Sequence, residues 1–390
     1  MTRVLHIFGR LNRGGAELRT LDVMRRLVPG QPEMEFVALS GLPGDLDDEV
    51  RGLGGKVHYC ALDLGFPWRF KRLLRERQID VVHSHVQLAS GFILRSAASV
   101  GTPVRIAHFR SCGSGRPMTT RRWLQDSLMR RWLDRWATLI LGNSEASLTH
   151  GWRSEWTTDT RCAVIHNGLD ISSFKNELSF GTVRSEFGWP QQPPIAIHIG
   201  RLDPAKNHDR LLEIWAEMAS INPEWNFLSA GRIDPRLMPN LQRKCDRLGI
   251  TKQVTWAGER TDVARLLLAS DVMVFPSIRE GLPGAVLEAS AAGVRVIGSD
   301  IPPLLEIARY LDNIECLALA DTNSSWANAA CGKSRPTWND RVVAMNAYEN
   351  SVYEIGRCVR AHQLAWAACP ASDINKMLNP NSDGASLEAA

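Results

Sequence analysis

Short apolar runs alternate with helical segments along most of this chain, and this alternation limits its fold more than any other feature. The first series of predicted strands comprises residues 4–8, 35–39, 57–60, 80–85, 104–108, 138–144 and 162–168. The second series comprises residues 194–203, 226–231, 254–258, 271–277, 294–300 and 314–321. Strands that alternate with helices build parallel sheets. The sequence therefore predicts an α/β protein with two Rossmann-like domains, whose parallel sheets face a central cleft.

The boundary between these domains is predicted within residues 170–193, which lack a clear period and contain several glycines and prolines. We therefore place one domain at residues 1–175 and the other at residues 176–340. Helical patterns return over 341–368, whereas residues 369–390 are polar and are expected to be disordered.

Composition narrows the class of protein. The 390 residues are enough for two or three ordinary domains, and 44% hydrophobic with 23% charged residues is typical of a soluble globular protein. No apolar run reaches the ~18 residues that a membrane span needs. The apolar stretch after Met1 is short and soon meets Arg10, so it indicates a first strand rather than a signal peptide. The eight cysteines show neither a Cys-x-x-Cys pair nor zinc-site spacing, which indicates reduced thiols in a cytosolic protein.

Charge is unevenly distributed along the chain. Residues 1–175 hold 25 Lys and Arg against 17 Asp and Glu, whereas residues 176–390 hold 21 against 25. The net charge of +4 thus combines a basic half with a mildly acidic half. We expect the two domains to have different partners.

The segment REGLPGAVLEASAAG (279–293) places Glu280 and Glu288 on either side of a Gly-Leu-Pro-Gly turn. Pro283 suits the first turn of a helix, and the free N–H groups at a helix start attract a phosphate or another anion. Glu288 follows among small apolar residues, where a carboxylate is costly unless it is hydrogen-bonded, for example by the hydroxyl groups of a ligand. The alternative is that Glu288 lies on the solvent face and that Glu280 is a loop charge.

Two further loops carry features of a ligand site. In GRLDPAKN (200–207), Arg201 and Lys206 lie at a strand–turn–helix junction, where they could neutralise a diphosphate or could simply be surface charges. In GGAE (14–17), two glycines let a ligand approach the start of the next helix. This loop is not a G-x-G-x-x-G fingerprint, so the sequence gives little support to a dinucleotide-dependent oxidoreductase.

Three histidines lie at predicted strand ends. They are His83 and His85 in DVVHSH, and His108 in VRIAHFRS. The carboxyl ends of parallel strands border the ligand site in sheets of this kind. A single histidine there is more often structural than catalytic, but several at one edge make His108 a candidate site residue.

The segment 116–136 repeats Leu124, Leu128, Trp132 and Trp136 at four-residue intervals between arginines. A basic helix with tryptophans can bind an anionic membrane surface. The alternative is a core helix whose arginines face solvent. No nucleic-acid-binding motif is present, so we predict no nucleic-acid partner.

Taken together, these segments resemble the retaining GT-B glycosyltransferases of family 4, the group 1 glycosyl transferases that build bacterial polysaccharides. The resemblance spans residues 1 to about 330. Its most specific part is the E-x7-E pattern of Glu280 and Glu288. It is supported by GRLDPAKN, by the early GGAE, by VIHNGLDISSF before the linker, and by VTWAGERTDVARLLLASDVMVFPS.

The resemblance implies roles in the second domain, which would bind the donor. Glu288 is expected to bind the ribose of the nucleotide, and Glu280 to contact hydroxyl groups of the donor sugar. Arg201 and Lys206 would hold the diphosphate. The turn Gly281-Leu282-Pro283-Gly284 would complete the donor site, with the amides between Leu282 and Gly284 assisting.

The resemblance implies fewer roles in the first domain, which would bind the acceptor. Gly15 matches the glycine that approaches the phosphate and sugar, and His108 matches the histidine near the reacting sugar. In this fold the final helix crosses back onto the first domain, as residues 341–368 could do. Two departures from the family pattern are SDIPPLLEI, which shifts the context of Glu306, and HFRS, which lacks a second histidine.

The resemblance therefore implies a retaining, metal-independent glycosyltransferase. It would move a sugar from a nucleotide-sugar substrate, UDP- or GDP-linked, onto a saccharide or lipid-linked saccharide acceptor in cell-surface polysaccharide biosynthesis, without any cofactor. The catalytic residues would be Arg201, Lys206, Glu280 and His108, with Glu280 not a nucleophile. We expect a cytoplasmic protein, peripheral on the inner face of the membrane through residues 116–136.

Two other functions remain open on the same fold. One is a nucleotide-sugar epimerase, which would need acid/base carboxylates of a kind that the sequence does not offer. The other is a non-catalytic nucleotide-sugar-binding partner of a transferase. That function would fit a broken site better than one with both glutamates, the arginine and the lysine in place.

Overall fold

The chain forms two compact units. The structure, a computed structural model, describes residues 2–28, 32–113, 118–175 and 182–378. The first unit comprises Met1–Leu169 and Val352–Ala390, and the second comprises Asp170–Ser351. None of the described helices is long and apolar enough to cross a membrane.

The first unit is built on a sheet of seven parallel strands. They are β1 (Arg3–Phe8), β2 (Glu33–Ala38), β3 (Lys56–Tyr59), β4 (Val81–Ser84), β5 (Val104–Phe109), β6 (Leu139–Gly142) and β7 (Cys162–Val164). Their order across the sheet is β3-β2-β1-β4-β5-β6-β7. The chain therefore builds one half of the sheet outward from β1 and then the other half from β4, which puts the switch point between these two strands.

The second unit is built on a sheet of six parallel strands. They are β8 (Ile195–Ile199), β9 (Asn226–Ala230), β10 (Val254–Gly258), β11 (Val272–Phe275), β12 (Arg295–Ser299) and β13 (Ile314–Leu317). Their order is β10-β9-β8-β11-β12-β13, with the switch point between β8 and β11. Both strand series and the α/β class predicted from the sequence are confirmed.

Helices follow most strands, as a parallel sheet requires. The first six are α1 (Gly15–Arg26), α2 (Asp47–Gly52), α3 (Phe66–Arg77), α4 (Ser90–Ala98), α5 (Thr120–Trp136) and α6 (Glu145–Gly151). The next eight are α7 (Thr182–Glu186), α8 (His208–Ile221), α9 (Met238–Leu248), α10 (Val263–Leu268), α11 (Gly284–Ala291), α12 (Pro302–Ala308), α13 (Asn323–Cys331) and α14 (Trp338–Glu349). The last two are α15 (Ile355–Trp366) and α16 (Ala371–Leu378).

Each face of the first sheet carries its own core. Alternate residues of a strand point to opposite faces, and β1 shows this directly. Val4 and Phe8 pack in one core with residues of α1, α15 and α16, whereas Leu5 and Ile7 pack in the other with residues of α3 and α4. His6 has the same parity as Val4 and Phe8, and its ring contacts Trp366 of α15.

The prediction of one helical region over 341–368 needs correction, because the structure has two helices there. Thr337 forms a capping box with Asp340 that starts α14, which ends at Glu349 in the second unit. Glu354 then starts α15, because its side chain accepts hydrogen bonds from the amides of Gly356 and Arg357. Only α15 of this region lies in the first unit, and the chain passes between the units at residues 169–170 and 351–352.

The prediction that residues 369–390 are disordered was wrong for residues 371–378, which form α16. Ile374 and Leu378 are buried in the core of the first unit. The Asn375 amide also donates a hydrogen bond to the carbonyl of Cys162, which ties the helix to β7. Apolar side chains four residues apart and this hydrogen bond thus both hold the short helix on the sheet. Residues 379–390 lie outside the described residues.

Helices α4 and α5 cross at very close range. Gly91 is buried in α4, and a β-carbon there would lie 2.1 Å from the carbonyl oxygen of Met129 and 3.0 Å from the amide nitrogen of Leu133. Backbone atoms cannot yield as a flexible side chain can. The absence of a side chain at Gly91 therefore sets the separation of the two helices.

We expect Gly91→Ala to destabilise the first unit, because the added methyl group must push α5 away. The expected loss is about 1–3 kcal/mol of unfolding free energy, measured by urea denaturation. Gly52→Ala is the matched control, since a β-carbon there has no heavy atom within 4 Å. Equal stability of the two variants would contradict the close helix crossing.

Candidate active site

The loop after β8 positions the two cations predicted from the sequence. Asp203 starts a turn of 3-10 helix, Pro204–Lys206, and its side chain accepts a hydrogen bond from the Ala205 amide at 2.9 Å. Arg201 is largely exposed, and its Nε donates to Asp203 Oδ2 at 3.2 Å. Although burial opposes the charge of Asp203, the Ala205 amide and Arg201 hold the pKa of that carboxyl below its usual value.

Lys206 and Glu280 meet in this loop, although they are far apart in sequence. Lys206 Nζ lies 2.7 Å from Glu280 Oε1, with side-chain exposures of 18% and 12%. The same ammonium group lies 4.9 Å from the ring centroid of Phe275, at the end of β11. The Ile278 amide also donates to the Ala205 carbonyl at 2.8 Å, which ties the two loops together. This ion pair is therefore held from both sides.

The Gly-Leu-Pro-Gly turn leads directly into α11. Leu282 and Pro283 are buried, whereas Gly284 has open space where a side chain would be. Pro283 has an extended backbone and precedes the helix, which begins at Gly284 rather than at the proline. No side chain caps this start. The first amides of α11 are thus positioned as donors for an anion.

Glu288 is the fifth residue of α11. It is partly buried, whereas its neighbours Leu287 and Ala289 are buried in the unit. Ala289, Ala291 and Ala292 are each fully buried, so small residues let this segment pack closely within the unit. Glu288 lies four residues, or about one turn, after the open start at Gly284, because a helix has 3.6 residues per turn.

Two glycines open the space beside these cations. Gly231 follows β9 with a φ of +150°, and a β-carbon there would lie 2.2 Å from the carbonyl oxygen of Gly200. The loops after β8 and β9 can therefore lie this close only because Gly231 has no side chain, while a β-carbon on Gly200 would crowd His198 and Lys206. Beside them lies a cavity of about 520 Å³, whose lining includes Arg201, Arg232 and Arg236.

Two histidines lie beneath the cation loop. Burial lowers the pKa of His198 far below its usual value, and burial followed by the charge of Lys206 lowers the pKa of His208 to about 4. The two rings are 4.8 Å apart. His198 Nδ1 lies 2.9 Å from the Val274 carbonyl, so it carries the proton. Both rings are therefore neutral, and they add no charge to that of Lys206.

The first unit holds a second group of polar residues, at the carboxyl edge of its sheet. Five buried histidines face one another there: His6, His83, His85, His108 and His362. Burial is the first cause that lowers the pKa of every one of them. These rings are therefore neutral near pH 7.

Hydrogen bonds fix which nitrogen of each ring carries the proton. Trp366 Nε1, which can only donate, lies 3.1 Å from His83 Nδ1, and His83 Nε2 lies 3.0 Å from His108 Nδ1. His83 must therefore accept at Nδ1 and donate at Nε2 to His108. It follows that His108 carries its own proton on Nε2, which has no hydrogen-bond partner among the described residues.

A second chain of hydrogen bonds runs in the same sense. Arg110 Nε donates to His85 Nδ1 at 3.1 Å, and His85 Nε2 lies 3.0 Å from His6 Nδ1. His85 therefore donates to His6, whose proton is then on Nε2. That nitrogen also has no partner in the described part of the chain. Two donor-only side chains thus impose one orientation on four imidazoles.

The nitrogens of His6, His83 and His85 lie within 4.8 Å of one another, a spacing that could hold a metal ion. Their hydrogen bonds argue against that use. Both nitrogens of His83 and both of His85 already have partners. The guanidinium of Arg110 also contacts this group, and its positive charge opposes a cation. We therefore interpret the three rings as part of the hydrogen-bonded network.

The predicted site residues fall into two sets. Arg201, Lys206, Glu280, Glu288 and the turn from Gly281 to Gly284 all lie in the second unit, along the loops after β8 and β11 and on α11. Gly15 and His108 lie in the first unit, at the start of α1 and on β5. Their roles in a reaction remain predictions.

Sequence reasoning missed several residues of the first unit. Arg110 follows His108 by two residues and so lies at the same edge of the sheet, and this position in the sequence could have identified it as a candidate site residue. His6 lies opposite His83 in the register of β1 and β4. Trp366 carried no such signal, because it reaches His83 across 283 positions of sequence. Glu306, whose context is shifted in the sequence, is buried on α12.

Comparison with known proteins defines the class first. The structure resembles a crystal structure of Anabaena Alr3699/HepE in complex with UDP and glucose, with a TM-score of 0.79 at 19% identity over 94% of this chain and all of that one. It also resembles WaaG, a glycosyltransferase involved in lipopolysaccharide biosynthesis, with a TM-score of 0.65 at 14% identity over 89% of this chain and 94% of that one. The fold is therefore that of the GT-B glycosyltransferases.

The sequence gives the family. Residues 14–168 match the glycosyl transferase 4-like domain, and residues 179–326 match the glycosyl transferases group 1. The chain is 32% identical to the capsular polysaccharide biosynthesis glycosyltransferase CapH of Staphylococcus aureus, over 80% of this chain and 84% of that protein. It belongs to the group 1 glycosyltransferases. The family resemblance drawn from its motifs is confirmed, whereas the retaining mechanism, the metal independence and the residue roles that it implies are not addressed by these comparisons.

The buried histidines predict an acid-labile first unit. Their folded pKa values lie below the unfolded value of about 6.5, so the unfolded state binds protons that the folded state cannot. The unfolding free energy should be constant above pH 7 and fall as pH drops below 6.5. For each histidine the slope should approach about 1.4 kcal/mol per pH unit. Urea denaturation between pH 8 and 5 measures this directly.

His362 provides an internal check on this slope, because burial lowers its pKa to about 4. We expect His362→Leu to remove one titrating group and so reduce the slope by the share of one histidine. Unfolding free energies that stay level from pH 8 to pH 5 would show that the rings do not remain neutral in the folded protein.

Proposed function

We propose that this glycosyltransferase moves a sugar from a nucleotide-sugar donor to a saccharide or lipid-linked saccharide acceptor in cell-surface polysaccharide biosynthesis. The observation that carries the proposal is the Lys206–Glu280 pair, which lies beside Arg201 and the turn that starts α11. The likeness to HepE, whose structure contains UDP and glucose, supports a nucleotide-linked donor. Capsular polysaccharide biosynthesis in the name of CapH supports the pathway.

Each residue of the second unit has a role in this proposal. Arg201 would bind phosphate oxygens in a bidentate manner, and Lys206 would add a point charge. The first amides of α11, next to Gly284, would donate to the same anion. Glu288 would accept hydrogen bonds from the ribose hydroxyl groups, and Glu280 would contact the donor sugar.

These residues suit a leaving group that gains negative charge. When the bond between the anomeric carbon and the diphosphate breaks, charge develops on phosphate oxygens, where Arg201, Lys206 and the start of α11 would stabilise it. These fixed positive groups can do the work that a metal ion does elsewhere, which supports a metal-independent reaction. In a retaining reaction the acceptor oxygen would attack from the same side, and its proton would pass to a phosphate oxygen of the leaving group.

Glu280 is poorly suited to be a nucleophile. Its carboxylate is held by Lys206 at 2.7 Å. A carboxylate in an ion pair is a weaker nucleophile than a free one, and this pairing supports a role in positioning the sugar.

His108 would act as a hydrogen-bond donor. Its Nδ1 accepts from His83, and its protonated Nε2 has no partner in the described part of the chain. Burial also lowers its pKa far below the usual value, so it cannot take up a proton readily. This geometry favours donation to a hydroxyl or phosphate oxygen over general-base catalysis.

The donor site can be tested with Glu288→Ala. Loss of hydrogen bonds from a carboxylate to ribose should weaken UDP binding about 10- to 100-fold, because each such bond contributes about 1.5–3 kcal/mol. Isothermal titration with UDP and GDP, followed by a panel of nucleotide sugars assayed for donor hydrolysis, measures the effect and the donor preference. Glu224→Ala, at an exposed position of the same unit, is the control.

Two results would decide against this donor site. The ribose role fails if Glu288→Ala binds UDP as tightly as the unaltered protein. The proposed function as a whole fails if no nucleotide or nucleotide sugar binds at all.

We also propose that the first unit contacts an anionic membrane surface through α5. Met118, Trp123, Leu124 and Leu128 are each more than 40% exposed, beside the exposed Arg121 and Arg131. Trp132 instead packs on Phe92 and Arg95 of α4. The start of α5 thus presents apolar and basic side chains to solvent, which suits an interfacial helix. Residues 116 and 117 of the predicted segment lie outside the described residues.

Membrane contact predicts a dependence on both lipid charge and apolar side chains. Trp123→Ser with Leu124→Ser should abolish co-sedimentation with vesicles of phosphatidylglycerol and phosphatidylcholine. Ile221→Ser with Leu305→Ser, exposed apolar positions of the second unit, is the matched control. Binding that is unaffected by phosphatidylglycerol content, or by the α5 substitutions, would count against the proposal.

A further inference from the structure

Arg110 is a cation without an ionic partner among the described residues. It lies just beyond β5 and is partly buried. Its guanidinium donates to His85 Nδ1 at 3.1 Å, to Asn167 Oδ1 at 3.0 Å and, at the longer distance of 3.5 Å, to Thr20 Oγ1. All three acceptors are neutral. Burial lowers the pKa of Arg110 to about 10, which leaves it charged at neutral pH.

Other buried arginines of this chain are compensated in a way that Arg110 is not. Arg105 donates to the carbonyl of Trp136 at the end of α5, and Arg295 to carbonyls of the last turn of α13. Arg341 donates to the carbonyls of Ala292 and Ser270, just beyond the ends of α11 and α10. The carboxyl end of a helix carries partial negative charge, which stabilises a buried cation.

Arg110 instead lies near the positive end of a helix. Its contact with Thr20 and its electrostatic interaction with Glu17 place it beside the first turns of α1. No side chain caps the start of this helix at Gly14. The amino end of a helix raises the local positive potential. Arg110 and α1 therefore attract an anion to the same place.

Among the described residues, the carboxylate of Glu17 partly compensates this positive potential. Its carboxylate folds back toward the helix start, where a β-carbon on Gly14 would lie 2.5 Å from Glu17 Oε2. Burial raises the pKa of Glu17 above its usual value, even though its own amide and Arg110 favour the charged form. Keeping a partly buried carboxylate charged is costly, so we expect a phosphate that binds Arg110 to compete with Glu17 for this place.

Arg110 also retains the means to bind such an anion. A guanidinium has five N–H donors, and the three hydrogen bonds above use three of them. The bond to His85 fixes the plane of the group, because that histidine is locked in turn by its bond to His6. A planar fork with two remaining donors suits the oxygens of a phosphate.

We propose that Arg110 binds a phosphate group of the acceptor in the first unit. The proposal rests on the proposed transferase function, in which Arg201 and Lys206 of the second unit already serve the phosphates of the donor. We therefore assign the acceptor phosphate to Arg110, and the donor phosphate, which Gly15 is expected to approach, is the alternative that the test must exclude. The name of one relative supports this source. It is an Escherichia coli galactosyltransferase whose acceptor is α-D-GlcNAc-diphosphoundecaprenol, and it is 28% identical over 59% of this chain and 60% of that protein.

The test uses farnesyl diphosphate as a soluble lipid diphosphate, in a protein that carries Arg201→Gln and Lys206→Gln. These two substitutions remove the cations of the donor site, so that binding reports on the first unit. In this background we expect farnesyl diphosphate to bind, and farnesol, which lacks the diphosphate, not to bind. Arg110→Gln should weaken farnesyl diphosphate binding about 10- to 100-fold in isothermal titration.

Two further variants make the test specific. Arg105→Gln, on the strand that precedes Arg110, removes an arginine that the end of α5 compensates and should leave farnesyl diphosphate affinity unchanged. Glu17→Gln should strengthen binding several-fold, because it removes the carboxylate that competes with the phosphate. If Arg110→Gln does not fold, the increase in farnesyl diphosphate affinity expected for Glu17→Gln still tests the proposal. Failure of Glu17→Gln to strengthen binding would then overturn the proposal.

The remaining outcomes also separate this proposal from the donor-site proposal. Unchanged affinity in Arg110→Gln, or no binding of farnesyl diphosphate at all, overturns the phosphate site. If Arg110→Gln weakens UDP binding in the otherwise unaltered protein and spares farnesyl diphosphate, the phosphate belongs to the donor and the assignment to the acceptor is wrong. If Glu288→Ala does not weaken UDP binding, the proposed donor site is refuted, but the result for Arg110 is not affected.

Discussion

Parallel strand pairing is the constraint on which both candidate sites depend. Because every strand of a sheet runs the same way, the residues that follow the strands gather at one edge. In the first unit this brings together His85 after β4, Arg110 after β5 and Asn167 after β7. In the second unit it brings the loop that holds Lys206 to the loop that holds Glu280. Neither group is local in sequence, and neither needs a specialised fold.

The Lys206–Glu280 pair shows how such an edge can be prepared for an anion. A lysine with only 18% of its side chain exposed would be costly if it stood alone, and Glu280 offsets that cost. The pair is held by the ring of Phe275 and by the hydrogen bond between Ile278 and Ala205, so the charges are in place before any ligand arrives. An arriving diphosphate then meets a positioned cation rather than a flexible one.

Sequence patterns could predict the features of the structure that depend on the spacing of nearby residues. The strand and helix series follow from hydrophobic period, and the loop motifs follow from where glycine, proline and charge fall within it. The same patterns could not give the contact of Trp366 with His83, because it depends on where α15 docks on the sheet. The sequence pattern also predicted one apolar stripe along α5. In the structure Leu124 and Leu128 of this stripe are exposed, whereas Trp132 packs on α4. Which part of a stripe is covered depends on where the neighbouring helix lies, and the spacing of apolar residues in the stripe does not contain that information.

Burial lowers the pKa of both the histidines and Arg110 in the first unit, but only the histidines become neutral near pH 7. An imidazole can give up its proton and still serve as both donor and acceptor, so His83 and His85 remain satisfied when neutral. A guanidinium cannot become neutral near pH 7, even with its pKa lowered to about 10, so its burial leaves a charge that the protein must compensate. The protein compensates Arg105, Arg295 and Arg341 with helix ends, but it gives Arg110 only neutral acceptors. Burying a charge costs free energy that these three hydrogen bonds to neutral acceptors offset only in part, so folding alone gives little reason for a guanidinium at the ligand edge of a parallel sheet, whereas binding of an anion does.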